Sequence, residues 1–144
     1  MKIAVGCDHG GLNLKKLAKD ILTKQGIEVV DMGTYTNDSV DYPDFAAKVA
    51  QAIVSGEVER GILVCGTGIG ISIAANKIKG IRAALCHDVF SATMSREHNN
   101  ANILCLGERV IGAGLAEMII NAWLKAEFQG GRHACRVDKI MNLE

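Results

Sequence analysis

Five short apolar runs, each followed by a stretch with apolar residues at helical spacing, limit this chain more than any other feature. The runs are Ile3 to Cys7, Glu28 to Val30, Gly61 to Cys65, Ile81 to Cys86 and Asn102 to Leu106. Between them, Leu14, Leu17, Ala18, Ile21 and Leu22 repeat with helical period, as do Phe45, Ala46, Val49, Ala50 and Ile53 after the single proline, Pro43. A third helix runs through Ile73, Ala74 and Lys77, a fourth ends near His98, and Leu115, Met118, Ile119, Ala122 and Trp123 stripe a fifth. Strands separated by helices require right-handed crossovers, hence a parallel sheet covered on both faces. The expectation is one Rossmann-like α/β domain over residues 1–144: a three-layer sandwich, a five-stranded parallel sheet and a C-terminal tail helix from about Gly130 onward. No linker or internal repeat breaks the pattern.

In such sheets ligands bind beyond the carboxyl ends of the strands. That rule gathers Cys7-Asp8-His9, the loop from Asp31 to Asp44, Cys65 and Gly107-Glu108-Arg109 along one rim. Composition narrows what the rim can meet. Acidic and basic residues balance at 16 each, so neither nucleic acid nor a membrane surface is expected as partner. No apolar run reaches the ~20 residues of a membrane span and the start has no signal-peptide pattern, which predicts a cytoplasmic protein. Five cysteines without a C-x-x-C favour neither disulfides nor zinc.

The densest motif is VCGTGIGIS, residues 64 to 72. Its glycines at 66, 68 and 70 do not fit the dinucleotide fingerprint, whose third glycine falls three positions after the second. A Walker loop would need Lys then Ser/Thr after its last glycine, where Ile71 and Ser72 stand. What remains is an anion cradle, backbone amides converging where a helix begins. For a tight turn alone one glycine would suffice. Cys65 opens this loop, where oriented amides favour a thiolate and can also hold an oxyanion beside it. A base next to an oxyanion hole is the equipment for removing a proton alpha to a carbonyl. Asp8-His9 also reads as a capped turn, His98 as a helix C-terminal cap, and Arg132 with Arg136 as one solvated helix face. Arg132 stands where the helix dipole disfavours a cation, unless an anion is shared there.

The stretches GCDHGG, DMGTYTNDSVDYPD, CGTGIGISIAANK, GIRAALC, REHNNANILCLGERVIG and GGRHACRV together resemble the ribose-5-phosphate isomerase B family of sugar-phosphate isomerases, over nearly the whole chain. The resemblance implies interconversion of a phosphorylated aldose and ketose, D-ribose 5-phosphate and D-ribulose 5-phosphate, in the non-oxidative pentose phosphate pathway, with no cofactor and no metal. It implies that Cys65 is the base moving a proton between C2 and C1, and that Gly66, Thr67, Gly68, Ile69 and Gly70 form the anion hole for a cis-enediolate. It assigns furanose ring opening to His98 with Thr67, hydroxyl-proton transfer to Asp41, and sugar contacts to Asp8, His9, Tyr42 and Asn99. It makes Arg109, Arg132 and Arg136 phosphate ligands. It implies a homodimer, or a dimer of dimers, with phosphate clamp and His98 from one subunit and thiol and anion hole from the other.

Two alternatives stay open. A phosphorylated hexose, allose 6-phosphate or galactose 6-phosphate, would use the same acid–base groups with a different fit in the loop near 36 to 42. A non-catalytic sugar-phosphate sensor would need the anion site but neither Cys65 nor His98. Redox signalling through Cys65 lacks a resolving cysteine nearby in sequence.

Overall fold

The computed structural model describes residues 1–144. Strands β1 (Lys2–Cys7), β2 (Glu28–Asp31), β3 (Arg60–Cys65), β4 (Ala83–Leu85) and β5 (Ile103–Gly107) alternate with helices α1 (Leu12–Lys24), α2 (Tyr42–Val54), α3 (Ile69–Ala75), α4 (Val89–Glu97) and α5 (Ala113–Lys125), and α6 (Arg132–Met141) follows. All pairings are parallel, in the order β2-β1-β3-β5-β4. The chain reverses direction across the sheet at β1 and β3, which opens a crevice between their carboxyl ends.

Strand alternation divides the core in two. Ile3, Val5, Ile62, Val64, Leu104 and Leu106 face α1, α4 and α5, where Leu22, Ala92 and Trp123 are buried with them. Ala4, Leu63, Cys65, Ile103 and Cys105 face α2 and α3. Both faces are thus apolar along the central strands, which is why these runs are nearly continuous in sequence rather than alternating. The expected three layers are present.

β4 is shorter than the apolar run from Ile81 to Cys86. The cause is polar: the Arg82 N–H donates to Asn102 Oδ1 at 2.8 Å, so a side chain takes the place of a ladder partner there. On the open side of β4, Asn76 closes a ring with Ala83, its Nδ2 donating to the Ala83 carbonyl at 2.9 Å and its Oδ1 accepting the Ala83 N–H at 2.8 Å. After β1, α1 is preceded by Gly11, which offers no capping side chain. Glu108, just past β5, accepts the Leu14 N–H at 2.8 Å instead, so the cap comes from 94 residues away. The helix dipole and the free first-turn amides favour that carboxylate.

Candidate active site

The carboxyl edge of the sheet is closely built around Cys65. The Gly68 N–H donates to Cys65 Sγ at 3.1 Å, and the Ile69 N–H to Thr67 Oγ1 at 3.2 Å. The N–H groups of Gly66, Thr67, Gly70 and Ile71 make no hydrogen bond within the chain. Of these, Gly66, Thr67 and Gly70 reach the surface, Gly70 in the first turn of α3 where the dipole is positive, while Ile71 is fully buried. This arrangement can stabilise an oxyanion beside the thiol.

The three glycines do different jobs. Gly68 carries the turn, at φ +75°, and a Cβ there would meet the Leu106 carbonyl carbon at 2.8 Å. Gly70 makes room for a side chain: its Cβ would lie 2.5 Å from Tyr42 Cζ. Gly66 faces Arg109, whose Cδ would be 3.5 Å from an added Cβ, an ordinary contact. One glycine does suffice for the turn, and Gly70 is spent on seating Tyr42. The Arg109 N–H donates to the Gly66 carbonyl at 3.0 Å and the Glu108 N–H to the Cys65 carbonyl at 3.0 Å, which fixes that segment against the loop.

Asp8 and His9 follow β1 on the same edge. Asp8 is buried, and its Oδ1 accepts the Gly10 N–H at 2.8 Å. His9 Nδ1 accepts the Val40 N–H at 3.2 Å. That bond leaves Nε2 as the proton-bearing, donating nitrogen of the neutral ring. It also ties down the loop leading to Asp41, the exposed residue before α2, and to Tyr42. Beneath the loop, Lys15 Nζ reaches Asp31 Oδ1 at 2.8 Å and the Thr34 carbonyl, while Lys19 Nζ reaches Asp31 Oδ2 at 2.8 Å. Burial would raise the Asp31 pKa, but hydrogen bonds from Lys15, Lys19 and the Gly33 N–H outweigh it and hold the carboxyl below its usual range. Three of the other thiols are buried and held in the protonated form. Burial pushes Cys7 and Cys86 up to about 11, and Cys105 well above the ordinary value.

His98, Asn99, Arg132 and Arg136 lie elsewhere. His98 ends α4 and precedes β5, whose first residue Ile103 pairs with Gly61 while its last, Gly107, pairs with Cys65. Those four strand steps alone span ~13 Å. His98 is therefore at the amino edge, on the opposite side of the sheet's long dimension from Cys65. The Asn99 carbonyl accepts from Arg82 Nε there at 3.2 Å. The tail joins the same edge: Gln129 donates its N–H to the Glu97 carbonyl at 3.0 Å and its Nε2 to Glu97 Oε2 at 2.9 Å. The His133 ring then stacks on His98, with centroids 4.1 Å apart. One chain thus brings Asp8, His9, Asp41, Tyr42, Cys65, the 66–70 loop and Arg109 to one edge, and His98, Asn99, Arg132 and Arg136 to the other. The expected grouping of three arginines as one subunit's clamp does not hold in a single chain, because Arg109 follows β5 and the other two follow α5.

Comparison with known proteins bears on what the carboxyl edge does. The family model described as Ribose/Galactose Isomerase matches residues 3–140. The chain belongs to that family. Within it, the ribose-5-phosphate isomerase B of Escherichia coli is 52% identical, covering 99% of this chain and 96% of that protein. The D-erythrulose-4-phosphate isomerase of Pectobacterium atrosepticum is 50% identical over 97% of this chain and 93% of its own. The solved structure of the Clostridium thermocellum ribose-5-phosphate isomerase B superposes with a TM-score of 0.98 at 64% identity, covering 99% and 97% of the two chains. The Rossmann-like sheet and C-terminal helix of this family member match that structure. No helix is long and apolar enough to cross a membrane.

Three residues around the site escape a reading of the sequence. Glu108 and Lys15 hold the carboxyl edge through partners 94 and 16 positions away, and His133 meets His98 only once α6 has docked. The position of Glu108 beside Arg109 on the expected rim was the one available signal.

Proposed function

We propose that this chain interconverts D-ribose 5-phosphate and D-ribulose 5-phosphate in the cytoplasm, as a homodimer whose two sites each draw on both chains. The observation that carries the reading is the Cys65 thiol, bonded by the Gly68 N–H, at the head of a loop whose Gly66, Thr67 and Gly70 amides are unpaired. In the mechanism, the furanose first opens: the C1–O4 bond breaks, O1 gives up its proton and O4 receives one, with His98 handling the proton near the ring oxygen. The Cys65 thiolate then takes the proton from C2 of the aldehyde, and electrons move to O1. The resulting enediolate is a charge that exists only along the path, so preorganised amides lower the barrier selectively. Returning the proton to C1 gives the ketose. Asp41 relays the hydroxyl protons, Asp8, Tyr42 and Asn99 hold the sugar, and His9 Nε2–H with Arg109, Arg132 and Arg136 binds the phosphate.

The two edges support the dimer. Cys65 and His98 cannot reach one sugar within one chain, so if both act, a second copy must supply one of them. Five free cysteines agree with a reducing compartment. A second reading, a phosphorylated tetrose or hexose as preferred substrate, draws on the erythrulose-4-phosphate isomerase named above and on the family's inclusion of galactose isomerases. An isomerase assay on tetrose, pentose and hexose phosphates decides: kcat/KM highest for ribose 5-phosphate supports the first reading, and a clear preference for another chain length replaces it. No turnover of any sugar phosphate would leave the sensor alternative standing.

A further inference from the structure

The ring of His98 makes no hydrogen bond within the chain, although its backbone N–H is held by the Met94 carbonyl at 2.8 Å. An imidazole's χ2 well is broad, so such a ring samples many planes unless something flat covers it. His133 does cover it, with ring centroids 4.1 Å apart and planes inclined by 7°. His133 is itself secured: it is buried, its N–H donates to the Gly130 carbonyl at 3.0 Å, and the turn before it is tied to Glu97, the neighbour of His98, by both bonds from Gln129. We propose that His133 is a positioning residue for ring opening, its stacked imidazole fixing the plane in which His98 presents a ring nitrogen to the sugar's ring oxygen.

The charges around the stack suit this role. His133 faces His98 from α4 and Arg132 and Arg136 from its own helix, while the Glu97 carboxylate is occupied by Gln129. Burial first, then His98 and the two arginines, push the His133 pKa below that of an ordinary imidazole. That shift favours the neutral His133 ring, which spares His98 a second imidazolium across the stack. The inference rests on the assignment of ring opening to His98.

The test compares His133→Ala, His133→Phe, His98→Asn and the double variant His98→Asn/His133→Ala. With ribose 5-phosphate, His133→Ala is expected to lower kcat roughly tenfold while KM changes less than about threefold, because orientation of a reacting group is lost rather than binding. His133→Phe keeps a flat face and should recover most of that loss. The double variant should be no slower than His98→Asn, since His133 acts only through His98. Solvent exchange of the C1 proton of ribulose 5-phosphate, which needs no ring opening, should be unchanged in His133→Ala. The proposal is overturned if the phenylalanine variant is as slow as the alanine one, if the double variant is much slower than His98→Asn, or if KM rises with kcat intact. If His98→Asn itself turns over ribose 5-phosphate normally, the ring-opening assignment fails first. A slow His98→Asn with a normal His133→Ala removes only the present inference. Should His133→Ala not fold, His133→Leu against His133→Phe makes the same comparison of branched with flat.

Discussion

At the carboxyl edge, the groups around Cys65 come from β1, β3, β5 and the turn before α3, each locked by backbone hydrogen bonds and by contacts too close for a larger residue. At the amino edge, His98 and the arginines sit at the end of one helix and on α6, which buries only His133 and Val137. The difference matches the chemistry proposed for Cys65 on one edge and for Arg132 and Arg136 on the other, while His9 and Arg109 would bring phosphate contacts to the first. An enediolate charge appears transiently, so the groups meeting it must already be in place. A phosphate carries its charge throughout, and long guanidinium side chains on a thinly attached helix can close on it. At the amino edge the same demand for prior placement falls on His98, which the His133 stack meets.

The largest effect should come from the carboxyl edge. Cys65→Ala is expected to lower kcat by about 10³-fold or more with KM little changed, the size of effect typical of a lost general base. A near-normal kcat would remove the thiol from the mechanism and leave the amides without a reacting partner. The same variant tests whether the two edges meet across subunits. Mixing inactive Cys65→Ala with weakened Arg136→Ala and allowing exchange should restore about a quarter of wild-type activity at substrate levels where each parent is silent, since half the dimers then hold one intact site. Verified exchange with no recovery would put both groups in one chain's site.

Arg136→Ala alone should act as a clamp does, raising KM roughly tenfold or more for the loss of a charge-assisted contact worth about 1.5–3 kcal/mol. A fall in kcat with KM intact would mean that Arg136 shares the demand for preorganisation. The glycines grade the other edge. Gly68→Ala combines a left-handed backbone with a clash against Leu106 and should lose about 1–3 kcal/mol of stability, measured by urea unfolding. Gly70→Ala should chiefly displace Tyr42 and appear in KM. Gly66→Ala should be within about 0.5 kcal/mol of wild type. A uniform response of all three would dissolve the division of labour drawn above.

The smallest effect concerns the ion pairs under the loop that leads to Asp41. Because Asp31 has its folded pKa below the unfolded value of 3.8, its contribution to stability is present above that value and is lost as pH falls through the folded one. The stability gap between wild type and Asp31→Asn should therefore be full at pH 7 and shrink as the pH is taken below 3.8. A gap independent of pH would show that the Lys15 and Lys19 pairs do not support the loop.

Much of this was legible in the sequence, for stated reasons. The five strands announce themselves because both faces of the central ones are buried, and the carboxyl-edge residues follow from where strands end. Even the separation of His98 from Cys65 is implicit in order, since one precedes a strand and the other closes one. Partnerships that depend on docking were not legible. Nothing in GGRHACR says that His133 will stack rather than face solvent, and nothing in GERV says that Glu108 will cap a helix 94 positions earlier. Arg82 looked like part of a strand because its neighbours are apolar; its carbonyl still accepts the Asn102 N–H at 3.0 Å, and only its own N–H is diverted to the Asn102 side-chain oxygen.

The ring between Asn76 and Ala83 has a consequence for the protein's company. A parallel sheet ends in a strand whose outward amides and carbonyls invite another chain to join. Here a single carboxamide imitates the missing neighbour, filling one donor and one acceptor on a strand only three residues long. An incoming segment would find one outward residue, Leu85, still open, too little to hold a register. Asn76→Ala would return that rim to the solvent, and the expected sign is a concentration-dependent growth of particles on warming, with catalysis of the remaining soluble protein intact.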